Sequence, residues 1–397
     1  MPFANHARIT ERSQAVDILW PLFKSLHVVG AGPFRRHVDG TYEGSMRQKP
    51  LQKLANSIGR FMLVRFMAVG VLRFFFARHL VGAAASDVVR AVCSVTALSV
   101  LNANLEKLHS VILVIDEAPT RAYRNASLCK LAKFWLASLW IYVGYRFTLD
   151  VVTFFVDDRL TLYLETDLFI PFGVLPPFLI PPMYVVAISD ILINRIFVTG
   201  ALAFSITLNF LLNMLFDSKV QHFDEELRRL SDGDEYVLDG NQALELRMRH
   251  AKLCQYAQIS DDIFSLQNLV WHAVCVALAC AESAASVQMM RRNFQLLRFL
   301  GTLGNLVIMV VLMVANTGSA AIVCECRDRS RVFVNCLQSR TGAGSPVSHQ
   351  VSQMDQRVQL TAWKMYKLDR AAIMTTLGAC VTYVSLVIQR TEDALEN

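Results

Sequence analysis

Three long apolar runs constrain this chain more than anything else in it: FWLASLWIYVGYRFTLDVVTFFV (134–156), NLVWHAVCVALACAESAASVQMM (268–290) and FLGTLGNLVIMVVLMVANTGSAAIV (299–323). A helix that crosses a bilayer needs about 20 mostly apolar residues, and it satisfies its own backbone polar groups where no water can. Further runs of the same kind follow. The stretch from Leu168 to Phe216 exceeds one span, and it opens on IPFGVLPPFLIPP with Pro171, Pro176, Pro177, Pro181 and Pro182. Proline obstructs helix continuation, so a helix is expected at about 183–211, with the proline segment as an interfacial loop.

Two early candidates, 61–80 and 82–101, contain Arg65, Arg73, Arg78, Asp87 and Arg90. Such charges are costly in a bilayer and face protein or water. A last candidate covers 371–389, which brings the count to seven. The expected fold class is an all-α membrane protein with seven transmembrane helices. Composition agrees: 54% of the 397 residues are hydrophobic and 18% charged, against about a quarter charged in soluble proteins.

Lysine and arginine orient the spans, because they accumulate in cytosolic loops. Arg35, Arg36, Arg47, Lys49, Lys53 and Arg60 precede the first span, and Lys107, Arg121, Arg124, Lys130 and Lys133 lie between the second and third. Arg327, Arg329, Arg331, Arg340, Arg357, Lys364 and Lys367 lie between the sixth and seventh. The loop after the third span is acidic, with Asp157, Asp158, Glu165 and Asp167. The N-terminus is therefore expected in the cytosol and the C-terminus outside. Arg291, Arg292 and Arg298, between the fifth and sixth spans, dissent.

The expected organisation is a cytosolic segment 1–60, spans one to four over 61–216, and a cytosolic helical connector or anchor region 217–267. Spans five and six cover 268–323, a cytosolic loop and helix 324–370, the seventh span 371–390 and an extracellular tail 391–397. In the connector, Leu246, Leu253, Ala257 and Phe264 share one helical arc, with His250 interrupting it. That face is expected to pack on neighbouring helices.

The chemistry of enzymes is missing. Gly30-Ala-Gly32 lacks a third glycine and a preceding strand pattern, and there is no phosphate loop, His-Glu-x-x-His or Gly-x-Ser-x-Gly. Nine scattered cysteines form no Cys-x-x-Cys pair, so neither a metal nor a cofactor is expected. A net charge of +6 without a basic, aromatic-interleaved stripe gives no reason to expect nucleic acid.

The last span is unusual. At about 100° per residue, Thr375, Gly378, Thr382, Ser385 and Gln389 fall on one arc roughly 80° wide. Two readings remain open. Small and hydroxyl residues make packing seams between membrane helices; equally, a polar face contributed by several copies could line a water-filled path. Gln389 brings two donors and two acceptors, more than a seam of Thr and Ser can meet. A small-molecule pocket is expected in the outward halves of the spans, where Trp140, Tyr142, Tyr145 and Asp150 lie in the third, Glu282 in the fifth and Asn305 in the sixth. Aromatic faces with a few polar groups suit a small ligand, sugars included. Interfacial aromatic belts and an Arg146–Asp150 pair at i, i+4 account for the same residues.

The stretch TYVSLVIQ resembles the signature of arthropod gustatory receptors: Thr-Tyr, five mostly hydrophobic positions, then Gln. Thr382, Tyr383 and Gln389 match it, and Arg390 stands where the family usually has Phe. TAWKMYKLDRAAIMTTLGA is similar to the family's segment leading into its last helix, notably at Leu368-Asp369, and VVGAGPF looks like its approach to the first span. The resemblance implies a ligand-gated, non-selective cation channel subunit of the insect chemoreceptor superfamily, in a homotetramer or a heterotetramer with related subunits. It would lie in the plasma membrane of chemosensory neurons and answer to a small-molecule tastant.

It further implies that the last span lines the pore, with Gln389 and Arg390 near the outer constriction, Ser385, Thr382, Gly378 and Thr375 below, and Tyr383 supporting from behind. Four arginines at the outer mouth would disfavour cations. Two alternatives stay open: an odorant-receptor-like channel subunit, and a seven-span G-protein-coupled receptor. The second needs the opposite orientation and has neither Asp-Arg-Tyr after the third span nor Asn-Pro-x-x-Tyr in the seventh. The sequon Asn125-Ala126-Ser127 would be cytosolic and unmodified in the channel orientation, and lumenal in the inverted one.

Overall fold

The computed structural model describes residues 14–29, 34–36, 42–44, scattered positions between 57 and 71, 81–117, 122–157, 159–168, 176–232, 240–292, 296–340, 360–362 and 366–396. The expected first span, 61–80, lies mostly outside the described residues. What is described is almost entirely helical, with two minimal antiparallel hairpins: β1 (Phe34–Arg36) with β2 (Tyr42–Gly44), and β3 (Thr361–Ala362) with β4 (Tyr366–Lys367).

Helix α1 (Gln14–Val28) occupies a stretch whose Asp17, Pro21 and Lys24 argue against a lipid-spanning segment. It is instead a packed helix. Val16, Leu19, Leu22, Phe23 and Leu26 recur at helical spacing and are fully or almost fully buried, worth about 1.5–3 kcal/mol each. The Ala15 N–H in its first turn donates to Asp116 Oδ1 at 2.8 Å, supplying an acceptor that the helix itself lacks.

Helix α2 (Val81–Ala103) corresponds to the second expected span. It meets α3 (Leu105–Glu117) at an angle of 67°. Asn104 stands at the break: its side-chain Nδ2 donates at 2.9 Å to the Val100 carbonyl, which also accepts the Asn104 backbone N–H at 3.1 Å. Helix α4 (Ala122–Val156) carries the third expected span, and a short α5 (Leu160–Asp167) follows.

The fourth span starts earlier than expected. A 3-10 turn at Pro177–Leu179 leads into α6 (Ile180–Asn194), and Pro181 and Pro182 sit inside its first turn. Their missing N–H groups are ones a first turn leaves unpaired anyway. After α6 comes a π-helical turn, Arg195–Gly200, and then α7 (Ala201–Asp232). Helix α8 (Gly240–Arg292) joins the connector and the fifth expected span in one rod of 53 residues. Its stripe of Leu246, Leu253, Ala257 and Phe264 is buried, as the spacing predicts. Tyr256 stacks on Phe216 with ring centroids 4.5 Å apart. Helices α9 (Leu296–Arg340) and α10 (Arg370–Glu396) complete the chain.

Helices α7, α8 and α9 form the centre, with α1 and α4 packed on α7 and α10 leaning on α8 and α9. Four of the described helical stretches are long and apolar enough to cross a membrane, or five if the bent α2–α3 pair is one span. The protein is thus an all-α, multi-pass membrane protein by length and composition.

A cavity among α2, α4, α7, α8 and α9, and an exposed last helix

The cavity lies where the start of α2, the later half of α4, the π-helical turn, the later half of α8 and the start of α9 converge. Its lining includes Arg90, Tyr142, Val198, Thr199, Trp271 and Asn305, and its volume is about 50 Å³. A water needs roughly 10–15 Å³ on this measure, so the space holds a few waters or a small organic group. Leu202, Leu278, Ile308, Met309 and Leu312 make the rest of the wall apolar.

The π-helical turn contributes Val198 and Thr199. Such single turns insert a residue into a helix and are frequent at functional sites. It is held from α2, where the Ser94 hydroxyl donates to the Val198 carbonyl at 2.5 Å.

Three of the side chains expected to bind ligand join into one chain of bonds at this end of the bundle. Tyr142 OH donates to Asn305 Oδ1 at 2.7 Å, and Asn305 Nδ2 donates to Glu282 Oε1 at 3.1 Å. Glu282 in turn pairs with Arg90, a partner the sequence did not single out. The remaining three lie elsewhere. Trp140 Nε1 donates to Ser25 Oγ at 3.0 Å, with its ring tilted on Phe204, so it ties α4 to α1 and α7. Tyr145 OH donates to the Leu300 carbonyl at 3.0 Å. Asp150 is bonded to both Arg146 (3.3 Å) and Arg195. The i, i+4 pair read from the sequence is therefore present, and a third charge from the π-helical turn completes it.

Helices α4 and α9 approach closely where Asp150's partner Arg146 passes. A Cβ on Gly301 would run into the Arg146 guanidinium, and one on Gly304 would lie 3.0 Å from the Tyr145 ring. A larger residue at either position would have to displace these side chains, and glycine lets the helices approach without that.

Toward the other end from the cavity, α7, α8 and α9 share a seam of buried amides and hydroxyls. Asn209 Nδ2 donates to Asn316 Oδ1 (2.9 Å) and Asn268 Oδ1 (3.2 Å), and Asn316 Nδ2 donates to Asn268 Oδ1 (3.0 Å). Ser205 bonds Gln267 at 2.9 Å. His272 Nδ1 lies 2.7 Å from the Asn268 carbonyl, which can only accept, so Nδ1 carries the proton and the neutral ring's Nε2 accepts from Thr317 at 2.9 Å. In a bilayer such bonds hold helices together where the hydrophobic effect cannot.

On the far side of α6, Asp190 accepts from Tyr163 OH at 3.0 Å and pairs with Arg65. Burial, and then the adjacent carboxylate, raise the Tyr163 phenol well above its ordinary range, so it stays a neutral donor.

Helix α10 stands on a compact foot. Leu368 is fully buried, and its N–H donates to the Leu360 carbonyl at 2.9 Å. Asp369 caps the helix through the Ala372 N–H at 3.0 Å, worth about 1 kcal/mol. Asp261 of α8 receives both the N–H (2.5 Å) and the hydroxyl (2.9 Å) of Thr361, and Arg370 pairs with Glu325 of α9 at 2.7 Å.

Above the foot, α10 is open. Thr375, Gly378, Thr382, Ser385 and Gln389 are all exposed, and so are Met374 (70%), Val381 (66%) and Tyr383 (53%). Thr375, Thr382 and Ser385 each donate to the carbonyl four residues back, at 2.9 Å. Arg390 is helical in backbone, and its side chain lies outside the described residues.

No family model matches the chain, and no curated protein sequence matches it. Solved structures do. The insect olfactory receptor OR5 from Machilis hrabei superposes with a TM-score of 0.73 at 13% identity, over 94% of this chain and 98% of that one. The same receptor in complex with eugenol gives a TM-score of 0.70 at 13% identity, over 95% and 98%. At this identity the likeness is one of fold. The chain shares the helical membrane fold of an insect olfactory receptor over 94% of its length.

Proposed function

We propose that this protein is a ligand-gated ion channel subunit of the insect chemoreceptor superfamily, of the gustatory-receptor type. The observation that carries this reading is the polar stripe of α10, exposed along a helix that bears the Thr382-Tyr383…Gln389 signature, on a fold shared with an insect olfactory receptor. In this reading four subunits, identical or related, bring their α10 helices around one path. Thr375, Gly378, Thr382, Ser385, Gln389 and Arg390 line it, and Tyr383 braces it from behind.

Seven spans run from a cytosolic N-terminus to an extracellular C-terminus, and 217–267 serves as the cytosolic anchor. The cavity beside Tyr142, Asn305, Glu282 and Arg90 opens outward and receives a small molecule, and the foot around Leu368 and Asp369 passes its occupancy to α10. Conduction is of cations without strong selection, moderated by the Arg390 ring, in the plasma membrane of chemosensory neurons. An odorant-receptor-like subunit is the second reading, favoured by the likeness of fold to an insect olfactory receptor that has been solved with eugenol bound.

The test has two parts. An epitope tag after Asn397 should be labelled on intact cells, and labelling only after permeabilisation of surface-resident protein removes the topological basis. Gln389→Ala should then change single-channel conductance or ion selectivity at unchanged surface expression. Unaltered single-channel properties would return the stripe to a packing role.

A further inference from the structure

We infer that the Arg90–Glu282 ion pair latches the outer mouth of the cavity, and that a solute reaches the space from water only when the pair parts. This rests on the reading of the cavity as a ligand site that opens outward. The polar groups of the lining gather at one end. Along α8, Leu278 lines the cavity and Glu282 stands one turn beyond it. Helix α9 runs the other way, as the Asn305–Glu282 and Thr317–His272 bonds show, and there Asn305 comes before Ile308, Met309 and Leu312. Arg90, Glu282, Asn305 and Tyr142 therefore share the end toward the α8–α9 connection, which is the outward end in the orientation proposed above. Solvent touches this end, where the Arg90 and Glu282 side chains keep 15% and 11% of their surface exposed. Trp271, Leu278 and Leu312 are almost fully buried.

The bonds run from helix to helix across that mouth. Tyr142 of α4 donates to Asn305 of α9, Asn305 to Glu282 of α8, and Arg90 of α2 pairs with Glu282. Ser94, one turn from Arg90, holds the π-helical turn that forms the opposite wall. The ion pair is the link best suited to open. A largely buried pair gives up in hydration much of what it gains in attraction, and both of its ends regain water when they separate. The long Arg90 side chain can swing aside with α2 in place, whereas opening through the apolar wall would expose hydrocarbon and return nothing.

The test reads access, without current and without a known ligand. Thr199→Cys places a thiol in the lining, and no other cysteine lies between Arg195 and Lys219, so peptide mass spectrometry follows that site alone. Intact cells expressing the full-length protein are treated from outside with two methanethiosulfonates. One carries a quaternary ammonium and is confined to water; the other is the neutral methyl compound, which also crosses lipid. With the native pair, the charged reagent should label the site slowly. Glu282→Gln should speed labelling by about tenfold or more, the factor that one hydrogen bond to a charged group is worth. Arg90→Glu should act likewise, and Arg90→Glu with Glu282→Arg should restore slow labelling, because the Asn305 amide can turn to accept from the relocated guanidinium.

Should Glu282→Gln strand Arg90 and fail to fold, Arg90→Gln with Glu282→Gln leaves no charge of the pair uncompensated and carries the same expectation. Buried Cys324, in the foot of α10, reports general loosening and should label at an unchanged rate. Equal rates at the Thr199→Cys site in all variants overturn the latch and leave the ligand-site reading standing. Rapid labelling by the neutral reagent in every variant, with none by the charged one, overturns it in favour of entry through lipid. An equal rise at Cys324, or a folded charge-swapped protein that labels as fast as Arg90→Glu, also overturns it. No labelling by either reagent in any variant removes the latch and the ligand-site reading together.

Discussion

At the scale of single residues, the informative contrast is among the side chains expected to meet a ligand. Tyr142 and Asn305 reach the cavity, and Glu282 adjoins it through Asn305, whereas Trp140, Tyr145 and Asp150 are bonded to other parts of the bundle. Four lie in the later half of α4, Glu282 lies late in α8 and Asn305 early in α9, and position along a span is what a sequence reports well. Rotation about the span is reported less well, because lipid-facing and protein-facing sides of a membrane helix differ little in polarity. Asp150 shows the consequence. It stands between Arg146 and Arg195, so Asp150→Ala leaves two partly buried guanidinium groups with no carboxylate between them. Loss of one member of such a cluster costs about 3–5 kcal/mol. The expected outcome is a loss of folded protein, read by size-exclusion profile and surface labelling, with no selective change in ligand response in whatever fraction survives. Arg195 itself was out of reach of sequence reasoning, since it lies some 45 positions from Asp150 and in a turn that is not α-helical.

At the scale of elements, the apolar runs place most of the helices, because length and hydropathy are local properties. The described helices missed are α1, α3 and the short α5, which are apolar on one side only and bury that side within the chain. The connector was legible for a related reason, its four apolar residues falling on one arc. Two glycines then distinguish contacts inside the chain from surfaces left open. Gly301→Val should drive α9 away from Arg146 and lower the thermal midpoint, an overpacking cost of about 1–3 kcal/mol. Gly378→Val should not, because a Cβ there has nothing within 4 Å. Its effect should appear instead in current amplitude, if four α10 helices share a path. Equal thermal midpoints for the two variants would remove this distinction.

At the scale of the whole molecule, the exposed upper half of α10 asks for company. Its Met374, Val381 and Leu386 suit lipid or a neighbouring helix, while the polar stripe beside them, with Gln389, suits lipid poorly. The assembly of four subunits proposed above would reconcile the two faces. Light scattering on detergent-purified protein should therefore give a protein mass near four times 44.6 kDa, and a monomer would count against the channel. Assembly is the part of the fold least legible from one sequence, since residues that face a copy of the chain carry no mark separating them from residues that face lipid.

The π-helical turn has a last consequence, which concerns how the gene can vary in length. Deleting one residue from Arg195–Gly200 would let α6 and α7 run on as a single α-helix. Everything before the deletion would then turn by about 100° against everything after it. Asp190 would swing away from Tyr163 and Arg65, and Val198 from Ser94. An insertion or deletion of one codon, harmless in most surface loops, is here equivalent to breaking several buried polar contacts at once. Related chains should keep the spacing between Asp190 and the α7 core even where few of the residues between them are shared.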